Sequence, residues 1–207
     1  MYIPKHFLVE DRAEILRFMR VSPFAIIVSD GGAAPVATHM PVVLAREEPL
    51  TLWSHMALAN PQWKTLDASR EVLVIFQGPH AYISPAYYDT KQSVPTWNYT
   101  AVHAYGTPKV LADDQLKLAV LSTTFENTEP EAGRQWDEAP DDYRQRMLGG
   151  MVAFEIVVAR LEGKYKLSQN RARDEQVRVA EALSKQSDTL VAGVGNMMKR
   201  NLTEKKE

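Results

Sequence analysis

The run from Thr96 to Leu111 most limits what this chain can fold into. It is rich in β-branched and aromatic residues. Tyr99, Ala101, His103 and Tyr105 alternate with Asn98, Thr100, Val102 and Ala104. A period of two sends the two sets to opposite faces of one long strand. Gly106 and Pro108 predict a bulge or bend inside it. Shorter apolar runs predict further strands at residues 24–28, about 36–44, 51–54, 72–76 and 151–161. Asp30-Gly31-Gly32 predicts a tight turn, which makes a hairpin of the first two. Gly78-Pro79 is expected to break the strand at 72–76, with residues 81–84 continuing it after a kink. Gly163 is expected to turn the last strand.

Helices are expected around these strands. Asp11 can cap one over residues 11–20, with Glu14 three positions on and Ile15, Leu16 and Met19 on one face. Others are predicted at 113–126, 142–148, 174–185 and from Asp188 to about residue 200. Residues 129–142, with Pro130, Gly133, Pro140 and many carboxylates, read as a surface loop. Strands that mostly meander, with helices grouped rather than alternating with them, predict a mainly β chain with flanking helices (α+β). The architecture expected is an antiparallel barrel with helical additions.

Composition narrows the function. The 207 residues include no Cys, which excludes a disulfide framework, thiolate metal sites and a Cys nucleophile. No run approaches a membrane span, and the N-terminal residues lack the apolar core of a signal peptide, so a cytoplasmic protein is expected. A net charge of −2 argues against a surface coated for nucleic acid. The five His residues, from His6 to His103, lack ligand spacing, so no metal site is expected. No metalloprotease, nucleophile-elbow or phosphate-loop motif is present.

One stretch invites a ligand. Residues 52–63 run from an apolar strand through Ser54 and His55 into Asn60-Pro61, which reads as an N-cap and first helical residue. Free N–H groups at such a start, with Lys64 nearby, can hold an anion. Ordinary capping explains the same pattern.

Six phrases in order carry a resemblance. They are Met1-Tyr2-Ile3-Pro4-Lys5-His6-Phe7, Ala37-Thr38-His39-Met40-Pro41, and Ser54-His55 through Asn60-Pro61-Gln62-Trp63-Lys64. Gly78-Pro79-His80-Ala81-Tyr82-Ile83-Ser84-Pro85 and Val94-Pro95-Thr96-Trp97-Asn98-Tyr99 follow. The last joins Glu162-Gly163-Lys164 to Lys166-Leu167-Ser168-Gln169-Asn170. Together, from Met1 to about Leu183, the chain resembles the PaiB family of FMN-binding negative transcriptional regulators. The resemblance implies an FMN-binding split barrel related in fold to pyridoxamine-phosphate oxidase. It implies a homodimer with the flavin in a groove between subunits, and repression of transcription. The domains expected are a split barrel over residues 1–170 and a C-terminal helical extension over 171–207 packed on it.

FMN needs cations and donors for its phosphate, polar groups for its ribityl chain and a flat apolar wall for its ring. Ser54, His55, Asn60 and Lys64 can serve the phosphate end. Thr38 and His39 can meet the ribityl chain or ring. Trp63 and Trp97 are candidate walls, and Lys166, Gln169 and Asn170 can reach across a dimer. Each has a plainer reading. Either His can be a half-buried hydrogen-bonded residue, the Trp residues core, Lys64 and Lys166 solvated, and Asn60 only a cap. The chain departs from the family at Leu58, where several members carry a basic residue. An Arg there would match phosphate oxygens, whereas Leu58 leaves that task to Lys64 and backbone N–H groups.

No committed acid or base stands out, so a regulatory flavoprotein is preferred to an enzyme. The alternative is a flavin-dependent oxidoreductase or haem-handling protein of the same fold. DNA or a regulatory protein is the partner a regulator would need, and no membrane is expected. Residues 164–178 and Lys199, Arg200, Lys205 and Lys206 are the basic candidates for DNA.

Overall fold

Asp11 starts α1 (Arg12–Val21) as its sequence position predicts, its Oδ1 accepting from Ala13 N at 2.8 Å. In this computed structural model, which describes residues 1–89 and 92–204, the remaining helices are α2 (Asp114–Thr128), α3 (Pro130–Glu138), α4 (Asp141–Gly149), α5 (Arg173–Ser184) and α6 (Thr189–Glu204). Asp113 caps α2 by accepting from Gln115 N and Leu116 N, and Asp188 accepts from Leu190 N and Val191 N at the start of α6. The strands are β1 (Leu8–Val9), β2 (Phe24–Asp30), β3 (Pro35–Pro41), β4 (Val43–Glu47), β5 (Leu50–Ala57), β6 (Val72–Ile83), β7 (Thr96–Leu111) and β8 (Met151–Lys166).

They form one eight-stranded sheet in the order β3-β2-β6-β7-β8-β5-β4, with β1 paired to β8. The pairings β2–β3, β2–β6, β4–β5, β5–β8 and β1–β8 are antiparallel. The fold is therefore the expected α+β split barrel. Its sheet is open, because β3 and β4 stand at opposite ends of the strand order.

Several sequence expectations are corrected. The strand expected at 36–44 is two strands, because Val42 leaves the ladder, buries its side chain and donates its N–H to Pro23 O at 2.8 Å. Gly78-Pro79 does not break β6, since a proline removes only its own donor from the ladder. Gly163 does not turn β8. It pairs with Val9, and the strand continues to Lys166. Residues 129–142 are mostly helical: Pro130 opens α3, and Trp136 on it packs against Phe125 with ring centroids 6.3 Å apart. Those apolar side chains outweigh the acidic composition that suggested a loop.

The chain divides into two compact units, residues 1–15, 77–101 and 162–207, and residues 16–76 and 102–161. In the second unit, strand alternation buries Ala25 and Ile27 of β2, Leu52 of β5, Val74 and Phe76 of β6, and Phe154 and Ile156 of β8. Its helices sit over Leu111, Val120, Leu121, Leu148, Met151 and Ala153, with Trp53, Phe125 and Trp136 at the margin. Gly106 is required there by close approach: a Cβ would lie 2.3 Å from Val157 O. In the first unit, α5 and α6 pack together and bury Val179, Ala180, Leu183, Val194 and Met198. Gly195 makes this contact possible, since a Cβ would lie 2.3 Å from Ser184 N.

Candidate functional site

The stretch after β5 turns on Gln62. Asn60 caps a short 3-10 turn, Pro61–Thr65, by accepting from Gln62 N at 3.0 Å. This brings the Gln62 side chain inward, where it is almost wholly buried. Its Nε2 lies 3.0 Å from Ile27 O, 3.0 Å from Ser29 Oγ and 3.1 Å from Val36 O. Its Oε1 accepts from Thr38 Oγ1, whose oxygen in turn accepts from Asn60 Nδ2 at 3.1 Å. Thr65 Oγ1 and Ser29 Oγ close the knot at 2.6 Å. Thr38 and Asn60, separate in sequence, are thus brought together. Gln62 itself escaped the sequence reading. A Gln placed between a helix-opening Pro and a Trp was the signal available.

The helix expected to open at Asn60-Pro61 is this 3-10 turn of five residues, capped by Asn60 as expected. Its surrounding donors are committed: Leu58 N to Gly150 O, Asn60 N to Ala57 O and Gln62 N to the cap. Trp63 donates Nε1 to Leu58 O at 3.0 Å and so braces the loop. Leu58 is 48% exposed. Lys64 lies 5.8 Å from the Trp63 ring centroid and has no carboxylate partner among the described residues.

Ser54 and His55 project to opposite faces of β5. Ser54 is buried and donates Oγ to Pro41 O at 2.6 Å. His55 is half-buried, its Nδ1 is sealed from solvent with no partner among the described residues, and burial holds its pKa below the ordinary 6.5. Trp53, two residues earlier on the same face, also has a buried unpartnered Nε1. His39 is exposed on the end strand β3 and stacks on Phe24 at 6.2 Å. Phe24 is itself exposed.

The first unit carries the other candidates. Trp97 is exposed and lies 6.1 Å from the rings of both Tyr82 and His80. Gln169 turns back on its own loop, accepting from Leu167 N and donating to Tyr165 O. Lys166 donates to Thr96 Oγ1, and its pKa is lowered first by burial and then by the charge of Lys164. Lys166 and exposed Asn170 line a cavity of about 220 Å³ with Thr96, Asn98, Ser168 and Arg171. Asn98 and Ser168 were not singled out from sequence. Asn98 stands on the buried face of the β7 alternation, which marks polar side chains that must find partners.

Four of the basic candidates for DNA are paired or occupied. Arg178 forms a two-pronged pair with Asp89 at 2.7 and 3.0 Å. Arg200 pairs with Glu14, Arg173 donates to Leu202 O, and Lys164 is buried and donates to Tyr2 O. Lys199 is exposed. Lys205 and Lys206 lie outside the described residues. No described helix is long and apolar enough to cross a membrane.

Residues 1–160 match the family model described as "Putative FMN-binding domain". The chain is 36% identical over 205 residues to the Bacillus subtilis protein called Protease synthase and sporulation protein PAI 2, covering 98% of each chain. Its fold is similar to the flavocytochrome Anf3 from Azotobacter vinelandii, with a TM-score of 0.62 and 13% identity, covering 79% of this chain and 72% of that one. It is equally similar to an FAD and haem binding protein from Mycobacterium smegmatis, with a TM-score of 0.62 and 16% identity over 82% and 78%. With the open antiparallel sheet and the phrases noted in the sequence, these matches make the chain a member of the FMN-binding split-barrel family of PaiB-type proteins.

Proposed function

We propose that this protein is a homodimeric FMN-binding regulator that lowers transcription, with FMN held beside the Gln62 knot of the second unit. The observation that carries the reading is the match to the Bacillus sporulation protein along 98% of both chains. The residues of this chain fit the cofactor. Lys64 is an ammonium without a carboxylate partner among the described residues, suited to the phosphate. Thr38 and Asn60 are fixed by the knot, and the capacity they keep, a second amide hydrogen on Asn60 and a lone pair on Thr38, suits the ribityl hydroxyls. His55 is half-buried and kept neutral by burial, so its ring can exchange one hydrogen bond with the polar edge of a flavin.

Ser54 is assigned to holding β5 against Pro41, and Trp63 to bracing the loop. His39 and Trp97 are exposed rings available to the flavin, Trp97 from the partner subunit. Lys166 and Asn170 line their own cavity and Gln169 bonds to backbone groups, so none of the three is assigned to the flavin. Bound FMN would supply reversible redox chemistry, through which a regulator can respond to the state of the cell.

The reading is tested by titrating FMN into flavin-free protein, following the quenching of flavin fluorescence, with light scattering for mass. Saturation at one FMN per chain and twice the chain mass are expected. In a promoter-reporter assay, wild-type protein should repress and Lys64→Met should repress less. A monomer that leaves FMN fluorescence unchanged would contradict the reading.

A further inference from the structure

We propose that the cavity between β7 and the Ser168 loop binds a small oxyanion carrying its own hydroxyl, a hydroxy acid or hydrogen phosphate, independently of the flavin. The cavity is formed wholly within the first unit, and nothing in this inference rests on where FMN sits.

Charge comes first. Lys166 and Arg171 both line the cavity, and no Asp or Glu lines it among the described residues. Among the described residues Lys166 has only the hydroxyl of Thr96 as a partner. Arg171 lies 4.0 Å over the Tyr88 ring and reaches Ser93 Oγ only at 3.5 Å. Lys164, two positions before Lys166 on β8, adds a further buried positive charge. Burial and this neighbour both pull the Lys166 pKa below the ordinary value of 10.5. An anion between Lys166 and Arg171 relieves both effects.

The second observation is Asn98. It is wholly buried, its Nδ2 donates to Ser168 Oγ at 2.9 Å and to Met198 Sδ at 3.6 Å, and its Oδ1 has no partner among the described residues. A buried carbonyl oxygen in this position asks for a donor. A simple carboxylate has none to give, whereas a hydroxy acid or hydrogen phosphate does. Ser168 holds a left-handed backbone, φ 63°, uncommon for a residue with a side chain. Its carbonyl accepts from Arg171 N at 2.9 Å, so this turn fixes Ser168 and Arg171 together at the cavity. The volume of about 220 Å³ lies below the range of drug-sized pockets, which suits a ligand of a few heavy atoms.

The test is calorimetric titration of the full-length protein with inorganic phosphate, lactate and propionate. Nuclear magnetic resonance of the side-chain amides runs alongside. Saturable binding of phosphate and lactate is expected, with propionate several-fold weaker for want of a hydroxyl. Lys166→Gln and Arg171→Gln should each weaken phosphate binding by roughly tenfold or more, and Lys166→Arg should retain it. The Asn98 amide signals should shift on titration, a readout available from wild-type protein alone. Arg171→Gln should leave the affinities for FMN and riboflavin unchanged. Absence of saturable binding by phosphate and lactate would overturn the proposal, as would binding that leaves the Asn98 signals unmoved. So would an Arg171→Gln variant that loses FMN affinity but keeps riboflavin affinity, because the anion held there would then be the flavin's own phosphate.

Discussion

Two polar clusters in this molecule are built on opposite terms. Around Gln62, both ends of a buried amide are matched: Ile27 O, Ser29 Oγ and Val36 O take the nitrogen side, and Thr38 serves the oxygen. Around Asn98, one end of a buried amide meets Ser168 and Met198 and the other meets no partner among the described residues, beside Lys166 and Arg171 with no carboxylate in the lining described. A satisfied buried network fixes one structure and leaves little for a ligand to gain. An unsatisfied one costs stability and leaves binding energy for whatever supplies the missing partner. The first cluster positions a site, and the second has the makings of one.

Changing the two amides sharpens this contrast most. Gln62→Leu removes every side-chain bond at the centre of the knot and should cost about 3 kcal/mol or more, read by urea unfolding. Asn98→Leu, of similar volume, gives up a bond to Ser168 but also an unpartnered oxygen. It should cost about 1 kcal/mol or less. Equal losses at the two positions would break the comparison.

Cofactor affinity is the next largest effect. Lys64→Met should weaken FMN roughly tenfold through one lost charge-assisted contact, and leave riboflavin nearly untouched because it lacks the phosphate. Equal weakening of both ligands would remove Lys64 from the phosphate end.

The smallest effect is with pH. Burial holds the His55 pKa below 6.5, so the unfolded chain takes up a proton there before the folded one does. Stability is retained above pH 6.5 and falls as pH drops from 6.5 toward the folded value. His55→Gln should flatten that part of the stability-pH curve, and an unchanged slope would show that other groups set it.

Much of the fold was legible because its signals are local. Alternation along β7, Asp113 ahead of α2, Asp11 ahead of α1 and the Asp30-Gly31-Gly32 turn each declare themselves within a few residues. The turn is a direct case, with Asp30 Oδ1 accepting from Gly32 N. What escaped depends on distant partners. Val42 leaves its strand because of Pro23, and α3 forms where Trp136 finds Phe125. The candidate site divides in the same way. Asn60 was legible as a cap, whereas the importance of Gln62 lies in groups on β2 and β3, far away in sequence. Ser54 and His55 looked like neighbours for one ligand, yet strand alternation turns them to opposite faces.

The most direct test of the account is the visible absorption spectrum of the purified protein, followed by heat release and identification of the chromophore. A flavin spectrum with FMN released in stoichiometric amount is the result predicted. A colourless protein that takes up no added FMN would contradict it, and would leave the Gln62 knot as a structural device alone.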